Sequence, residues 1–427
     1  MRVVILFAIT FMCLQTLECQ VTGDARSILN SRLNFFDIDL LRYTVEDKKG
    51  NVMVSPLCIR NTLTMLLKGA FDSTAAEITR ALRLSPVIEE QNNEIKIYLN
   101  SFPTGSDNAI LENANALFTN KNLKLKKEYE NTVVKVHNSE VLKVDFKNPT
   151  AAANLLNEWV NKKTKGHIPA IIQPDQIDPT AEVVVANAVY FKSLWKYAFK
   201  TRSRGVCFYS LYRPCFKVPM MELDAVLNYR YVPNLRAHAV ELPYQGDRYS
   251  MILLIPRDRD GATSLVRDLP FMSLPQIAEL MEPIDVRISM PKFTVTYGED
   301  MVATLRNMRV KTLFEPTANL SGIFEGTTPH VTTIYHKVYM SVDENGTVAA
   351  AASVANVVPL INSGVELRVD RPFVFFIRDN KSGFVLFEGK IEEPVEYPKA
   401  PEANHPPLEP EGTFPAELVD ILNINEF

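Results

Sequence analysis

The residue types that perform catalysis are present in this chain but are not grouped for it. None of the six histidines stands in HExxH or another metal-ligand spacing, and neither a GxSxG nucleophile elbow nor a GxxxxGK[ST] phosphate loop occurs. The sequence therefore points to no enzyme, no metal and no cofactor. The stretch whose residue types are most unusual is instead Asp343 to Ile361, DENGTVAAAASVANVVPLI. Its first half is made of small residues: Ala349, Ala350, Ala351 and Ala352 stand between Thr347, Val348 and Ser353. Such side chains have little volume and almost no rotamer entropy to lose on ordering, so the segment can slide between two strands at low steric cost. As a strand it would turn Thr347, Ala349, Ala351 and Ser353 to one face and Val348, Ala350 and Ala352 to the other. The plainer alternative is a helical turn or a flexible linker, since alanine is the best helix former.

The elements around this stretch argue for a site. HKVYMSV from His336 reads as a strand, and LRVDRPFVFFIRD from Leu367 reads as a strand again. The residues between them have neither a clean period nor a tight-turn signal, and a loop of that length in a compact domain is usually functional or disordered. Elsewhere, Leu29, Leu33, Phe36 and Leu40 recur at helical spacing, and Thr74 with Glu77 forms a capping-box pattern before a second helix. A third helix is expected from about Thr150 to Lys165, with Trp159 on its apolar side and Gly166 as its stop. EVVVANAVYF from Glu182 and YSMILLI from Tyr249 read as buried strands, and DNKSG, Asp379 to Gly383, reads as a hairpin turn. Helices early and strands late make an α+β fold.

With 46% hydrophobic residues the chain can fill a core, and a net charge of −4 gives no reason to expect nucleic acid or an anionic membrane as a partner. Arg2 followed by VVILFAITFMCL has the plan of a signal peptide, with cleavage placed after Cys19, which predicts a secreted, extracellular protein. That cleavage leaves Cys58, Cys207 and Cys215. Cys207 and Cys215 lie symmetrically about Leu211 in VCFYSLYRPCF and can pair across a hairpin in an oxidising compartment; the alternative is two free thiols.

The chain from about Ser27 to Pro394 resembles the serpins, the serine protease inhibitor superfamily. Glu344, Gly346, Thr347 and the alanine run are similar to the serpin hinge, and seven further motifs follow family order. They are NVMVSPLCI from Asn51, NAVYFKSLW from Asn187, VPMM from Val218, ELPYQG from Glu241, MPKFTV from Met290, NLSGI from Asn319 and RPFVFFIRDNKSGFVLFEGKIEEP from Arg371. The resemblance implies one domain over residues 20–394, after the leader 1–19, with helices around a large central mixed sheet, two smaller sheets and an exposed reactive-centre loop over about 343–366.

What the resemblance implies about function is a suicide substrate. An extracellular serine protease attacks the loop, forms an acyl-enzyme, and is trapped when the hinge, Glu344 to Ser353, inserts into the central sheet. Fourteen positions beyond Gly346 the family places the scissile residue, which gives Leu360 followed by Ile361, while counting back from RPF at Arg371 gives Ile361 itself; Val357, Val358 and Pro359 are the recognition residues. An apolar residue there suits chymotrypsin-like or elastase-like pockets. Carried over singly, Glu344 and Lys292 match a salt bridge at the top of the sheet, with Trp195 beside it. Ser55, Asn187 and His336 match a polar cluster under the sheet centre, where His336 is structural rather than a general base. Cys58 replaces a family serine in that cluster. The alternative within the family is a non-inhibitory serpin that binds, carries or stores.

Three sequons occur: Asn319 and Asn380 are the expected glycosylation sites, while Asn345 lies in the hinge and is expected to stay unmodified, because a glycan there would hinder insertion. The lysines Lys121, Lys124, Lys126 and Lys127 read as a solvated surface rather than a heparin site. Residues 395–427 are proline-rich and acidic, the composition of a disordered tail, and a monomer is expected.

Overall fold

A computed structural model describes residues 29–395, apart from 47, 104, 106–108, 203, 211–212 and 348–363. The expected leader, the tail beyond Val395, and the positions from Val348 to Ile361, which include the reactive bond, lie outside the described residues.

Leu29, Leu33, Phe36 and Leu40 are buried on one stripe of a helix over residues 29–45. The next helix, Pro56–Leu67, begins on a side-chain cap: the Ser55 hydroxyl accepts from the Cys58 N–H at 3.4 Å and Pro56 supplies a preset φ. All twelve of its residues are buried, so its polar members must find partners inside the protein. Helix Asp72–Ala81 departs from expectation. It starts two residues before Thr74 and has no side-chain cap. The Thr74 hydroxyl instead accepts from the Asn319 N–H at 3.0 Å, and the Glu77 carboxylate accepts from the N–H groups of Lys311 and Thr312 at 2.7 and 2.8 Å. The acceptors that read as a capping box tie down a distant segment. Helix Pro149–Lys163 is capped by Asn148 and seats Trp159 edge-on against Phe118, with centroids 5.4 Å apart.

The six-stranded sheet is mixed and runs in the order Phe293–Asp300, Val331–Val342, Gly346–Thr347, Val183–Leu194, Ala109–Asn120, Glu140–Val144. Helix Pro56–Leu67 packs behind it, and helix Pro149–Lys163 lies across its other face with Ala114, Ala116, Phe118 and Ala186. The remaining strands form a hairpin and a nine-stranded set. That set joins two smaller sheets, because the thirteen-residue strand Met220–Val232 pairs along most of its length with Glu282–Pro291 and at its end with Ala237–Pro243.

The stretch from Leu367 is not one strand. Val365–Arg368 pairs parallel to Glu282–Pro291, and Phe373–Asp379 then joins Tyr249–Pro256. Pro372, which has no N–H to give a ladder, stands in the break between them. In the hairpin of Val206–Ser210 with Arg213–Val218, Cys207 and Cys215 are joined by a disulfide with Cα atoms 5.3 Å apart. The two are not directly opposed: Cys207 faces Lys217, and the register shifts between Phe208 and Ser210. Among the described residues no helix is long and apolar enough to cross a membrane.

Candidate functional site

The strands Val183–Leu194 and Val331–Val342 pair directly, in parallel, from Val331 beside Val183 to Tyr339 beside Tyr190. Above that point they part, and Gly346–Thr347 lies between them, with Thr347 paired to Val342 on one side and to Ser193 on the other. The sequence places the loop outside the sheet from Asp343 onward; the structure has its first residues already inside. This seam is the candidate site.

Each residue at its upper end is held for an identifiable reason. The Asp343 carboxylate accepts from the N–H groups of Asn345 and Gly346 at 2.8 and 3.3 Å, which turns the chain back toward the sheet. Gly346 lies against the neighbouring backbone at φ +157°, and a Cβ there would fall 2.2 Å from the Ser193 carbonyl oxygen, so only glycine fits. The Thr347 side chain is fully buried, and its hydroxyl shares a 2.7 Å hydrogen bond with the Tyr244 hydroxyl. Tyr244 in turn stacks on Trp195, with centroids 4.4 Å apart and planes 8° from parallel. Trp195 gives its indole N–H to the Asp343 carbonyl and its backbone N–H to the Asn345 carbonyl, both at 2.9 Å. Glu344 forms an ion pair with Lys292 and accepts from the Thr201 hydroxyl at 3.0 Å. Burial pushes its carboxyl pKa up, but Lys292 and Thr201 outweigh burial and hold it below the usual range.

The second group lies lower on the same seam, between the sheet and helix Pro56–Leu67. The Ser55 N–H donates to His336 Nε2 at 3.0 Å, which leaves that nitrogen without a proton. His336 is therefore neutral, with its proton on Nδ1, and donates to Asn187 Oδ1 at 3.0 Å. Asn187 passes the chain on by donating from Nδ2 to the Thr62 hydroxyl at 2.7 Å. Cys58 donates from Sγ to Asn113 Oδ1 at 3.1 Å, and burial pushes its thiol pKa up to about 12, so it is an inert, neutral member of the cluster.

Burial lowers the His336 pKa from the usual 6.5 to about 3. A depressed value means that the unfolded chain binds more protons, so the stability His336 contributes is complete above pH 6.5 and is lost progressively toward pH 3. Over that window the wild type is expected to lose about 1.4 kcal/mol per pH unit relative to a His336→Gln variant. Denaturant midpoints measured at half-unit pH steps check this, and parallel slopes for the two proteins would refute it.

The structure thus brings Glu344, Lys292 and Trp195 together at one end of the seam and Ser55, Asn187 and His336 at its middle. Sequence reasoning missed Tyr244, Asp343, Thr201, Thr62 and Asn113. A signal existed for Thr62, since it stands seven positions, about two turns, after the cap residue Ser55 and so falls on the same face of the helix. Tyr244 lay within a quoted motif, ELPYQG, but nothing local tied it to Thr347. At the sequons, Asn319 Nδ2 donates to Asp72 at 2.6 Å and Asn380 Nδ2 to the Asp247 carbonyl at 3.0 Å. Two of the four lysines set aside as a heparin site, Lys121 and Lys124, are in ion pairs with Asp145 and Glu325.

A family model described as serpin, serine protease inhibitor, matches residues 31–394. Intracellular coagulation inhibitor 1 of Tachypleus tridentatus is 33% identical over 371 residues, covering 84% of this chain and 88% of that protein. The leukocyte elastase inhibitor of Xenopus tropicalis is 31% identical over 374 residues, covering 86% and 99%. Serpin48 of the insect Tenebrio molitor superposes with a TM-score of 0.75 at 27% identity, over 86% of this chain and 98% of its own. The expectation of a secreted, extracellular protein is corrected by these relatives, since the first of them is an inhibitor named as intracellular. The apolar run behind that expectation reads equally from hydrophobicity alone as a leader or as a packed segment. The matched span, the sheet order and the seam with its threaded hinge agree, and the chain belongs to the serpin family of serine protease inhibitors, which are not enzymes.

Proposed function

We propose that this serpin is a suicide-substrate inhibitor of a serine protease with an apolar primary pocket, elastase-like or chymotrypsin-like, and that Leu360 is the residue it offers. The protease serine Oγ bonds to the Leu360 carbonyl carbon, the Leu360–Ile361 bond breaks, and the new amine of Ile361 leaves with its proton. The hinge then continues between Val183–Leu194 and Val331–Val342, carrying the acylated protease with it.

One observation carries this reading: Thr347 already occupies the position between Val342 and Ser193 that begins such a strand. The residues that would follow, Val348 to Ser353, are small enough to continue it. Similarity to leukocyte elastase inhibitors supports the choice of protease class. Lys292 and Glu344, with Trp195, hold the entrance of the seam, while Ser55, His336 and Asn187 join the sheet to the helix behind it where the strands must part. A fully satisfied buried network resists opening, so these residues set the barrier to insertion.

The test is incubation of the purified protein with chymotrypsin and with pancreatic elastase. An SDS-stable complex and a released fragment beginning at Ile361 are expected. Cleavage without any complex, with every such protease, would overturn the inhibitory reading in favour of binding, carriage or storage.

A further inference from the structure

The point where the sheet forks is marked by three aromatic rings. Tyr339 and Tyr190 are the last directly paired residues of the two strands, and their rings lie 6.4 Å apart, 19° from parallel. His167 covers Tyr190 from the helix side, with centroids 3.8 Å apart and planes 8° from parallel, and is 6.5 Å from Tyr339. His167 is not a loose surface ring. It follows the end of helix Pro149–Lys163 on a turn in which Lys165 and Gly166 have φ of +52° and +86°. Its N–H bonds the Thr164 carbonyl at 3.0 Å, and the next residue, Ile168, gives its N–H to the Thr164 hydroxyl at 3.0 Å. The ring is therefore mounted over the seam by backbone geometry.

The register shows what this group opposes. Thr347 pairs with Ser193 and with Val342, so the third residue of an antiparallel strand continued from it would lie between Tyr190 and Tyr339. Admitting a strand there doubles the spacing of the flanking strands from about 4.8 to about 9.6 Å. Ring pairs lose contact beyond about 7 Å, so the two tyrosines must separate. On the other face nothing aromatic among the described residues bridges this pair of positions; Phe191 and Tyr244 there belong to the inner core beside Thr347.

We propose that His167, Tyr190 and Tyr339 form a clamp at the fork, which holds the hinge at Thr347 in the uncleaved protein and sets the rate at which the rest of the strand goes in. These are positioning residues, because none of them touches the protease or the reacting bond. The inference rests on the insertion reading above and adds to it the residues that time it.

The test uses the whole uncleaved protein and a synthetic peptide with the sequence of residues 346–358, whose uptake is followed by native gel. Tyr339→Leu and the surface variant His167→Ala are each expected to take it up about two to ten times faster than wild type, the range an aromatic pair contributes to a barrier. Tyr339→Phe keeps the ring and is expected to match wild type. Tyr339→Leu is also expected to lower the melting temperature of the uncleaved form and not that of the cleaved form, in which the two tyrosines are already apart. Wild-type uptake with unchanged rates in both variants, or equal destabilisation of the cleaved and uncleaved forms, would overturn the clamp alone. A wild-type protein that takes up no peptide would overturn the insertion reading and the clamp with it.

Discussion

Replacing Thr347 by arginine is expected to convert the protein from an inhibitor into a substrate. The site allows no other place for that side chain once the hinge is in the sheet. Thr347 is fully buried, and its hydroxyl meets Tyr244, which is packed between Trp195 at 4.4 Å and Phe191 at 5.3 Å. Among the described residues neither Thr347 nor Tyr244 is bonded to a carboxylate, and an uncompensated buried charge costs about 3–5 kcal/mol. If the cost falls on insertion, a 3 kcal/mol penalty slows that step by more than about a hundredfold. Hydrolysis of the acyl-enzyme then finishes first and the protease leaves intact. The measurement is the ratio of SDS-stable complex to cleaved serpin, which should fall to nearly zero for Thr347→Arg and stay near wild type for Thr347→Ser, which keeps the bond to Tyr244. Undiminished complex with arginine in place would show that this position is not buried during trapping.

The second large effect concerns a charge the fold encloses without need. Arg60, on the helix behind the sheet, is buried in an ion pair with Asp37 and lies over the rings of Phe36 at 4.8 Å and Tyr98 at 5.7 Å. Glu388 is fully buried beside them, and its carboxylate oxygens make no side-chain hydrogen bond among the described residues; the Leu41 N–H is the one backbone donor that acts on it. Burial first, then the negative charge of Asp37, push the Glu388 pKa well above the usual carboxylate value, against a smaller opposing pull from Arg60. A raised carboxyl pKa means that the folded state holds the proton more tightly. The stability Glu388 contributes is therefore present below its unfolded pKa and is lost as pH rises.

Glu388→Gln, which cannot ionise, is thus expected to gain stability relative to wild type by about 1.4 kcal/mol for each pH unit between the unfolded value of 4.5 and the raised folded value, with the gain shrinking as pH falls toward 4.5. Denaturant midpoints for the two proteins at pH 5 and pH 8 decide it. A variant less stable than wild type at pH 8 would mean that the carboxylate is paired in solution.

Much of this molecule was readable before any coordinates. The stripe of Leu29, Leu33, Phe36 and Leu40, the strands at Glu182 and Tyr249, and the turn at DNKSG are local patterns, and local physics built them as expected. The hinge composition and the motif order were also legible, because a resemblance spread over the whole chain needs no contact to be seen. Local patterns failed where a side chain had a distant competitor for its bonds. Thr74 and Glu77 have the chemistry of a capping box, but the N–H groups of Asn319, Lys311 and Thr312 reached them instead. The two smaller sheets are present as expected, but that Met220–Val232 is long enough to belong to both is shown only by its partners.

By itself, then, the amino-acid sequence determined the elements, the family and the residue types of the hinge, all of which follow from period, propensity and order along the chain. The tertiary structure alone decided how far the hinge is threaded. That depends on where Val331–Val342 and Val183–Leu194 diverge, and the pairing that stops at Tyr339 and Tyr190 joins residues 149 positions apart, like the bond between His336 and Asn187. Tyr244 beneath Thr347, His167 above Tyr190 and Glu388 beside Asp37 are likewise products of packing. Each is an ordinary residue in the sequence, and its role arises from the neighbours that enclose it.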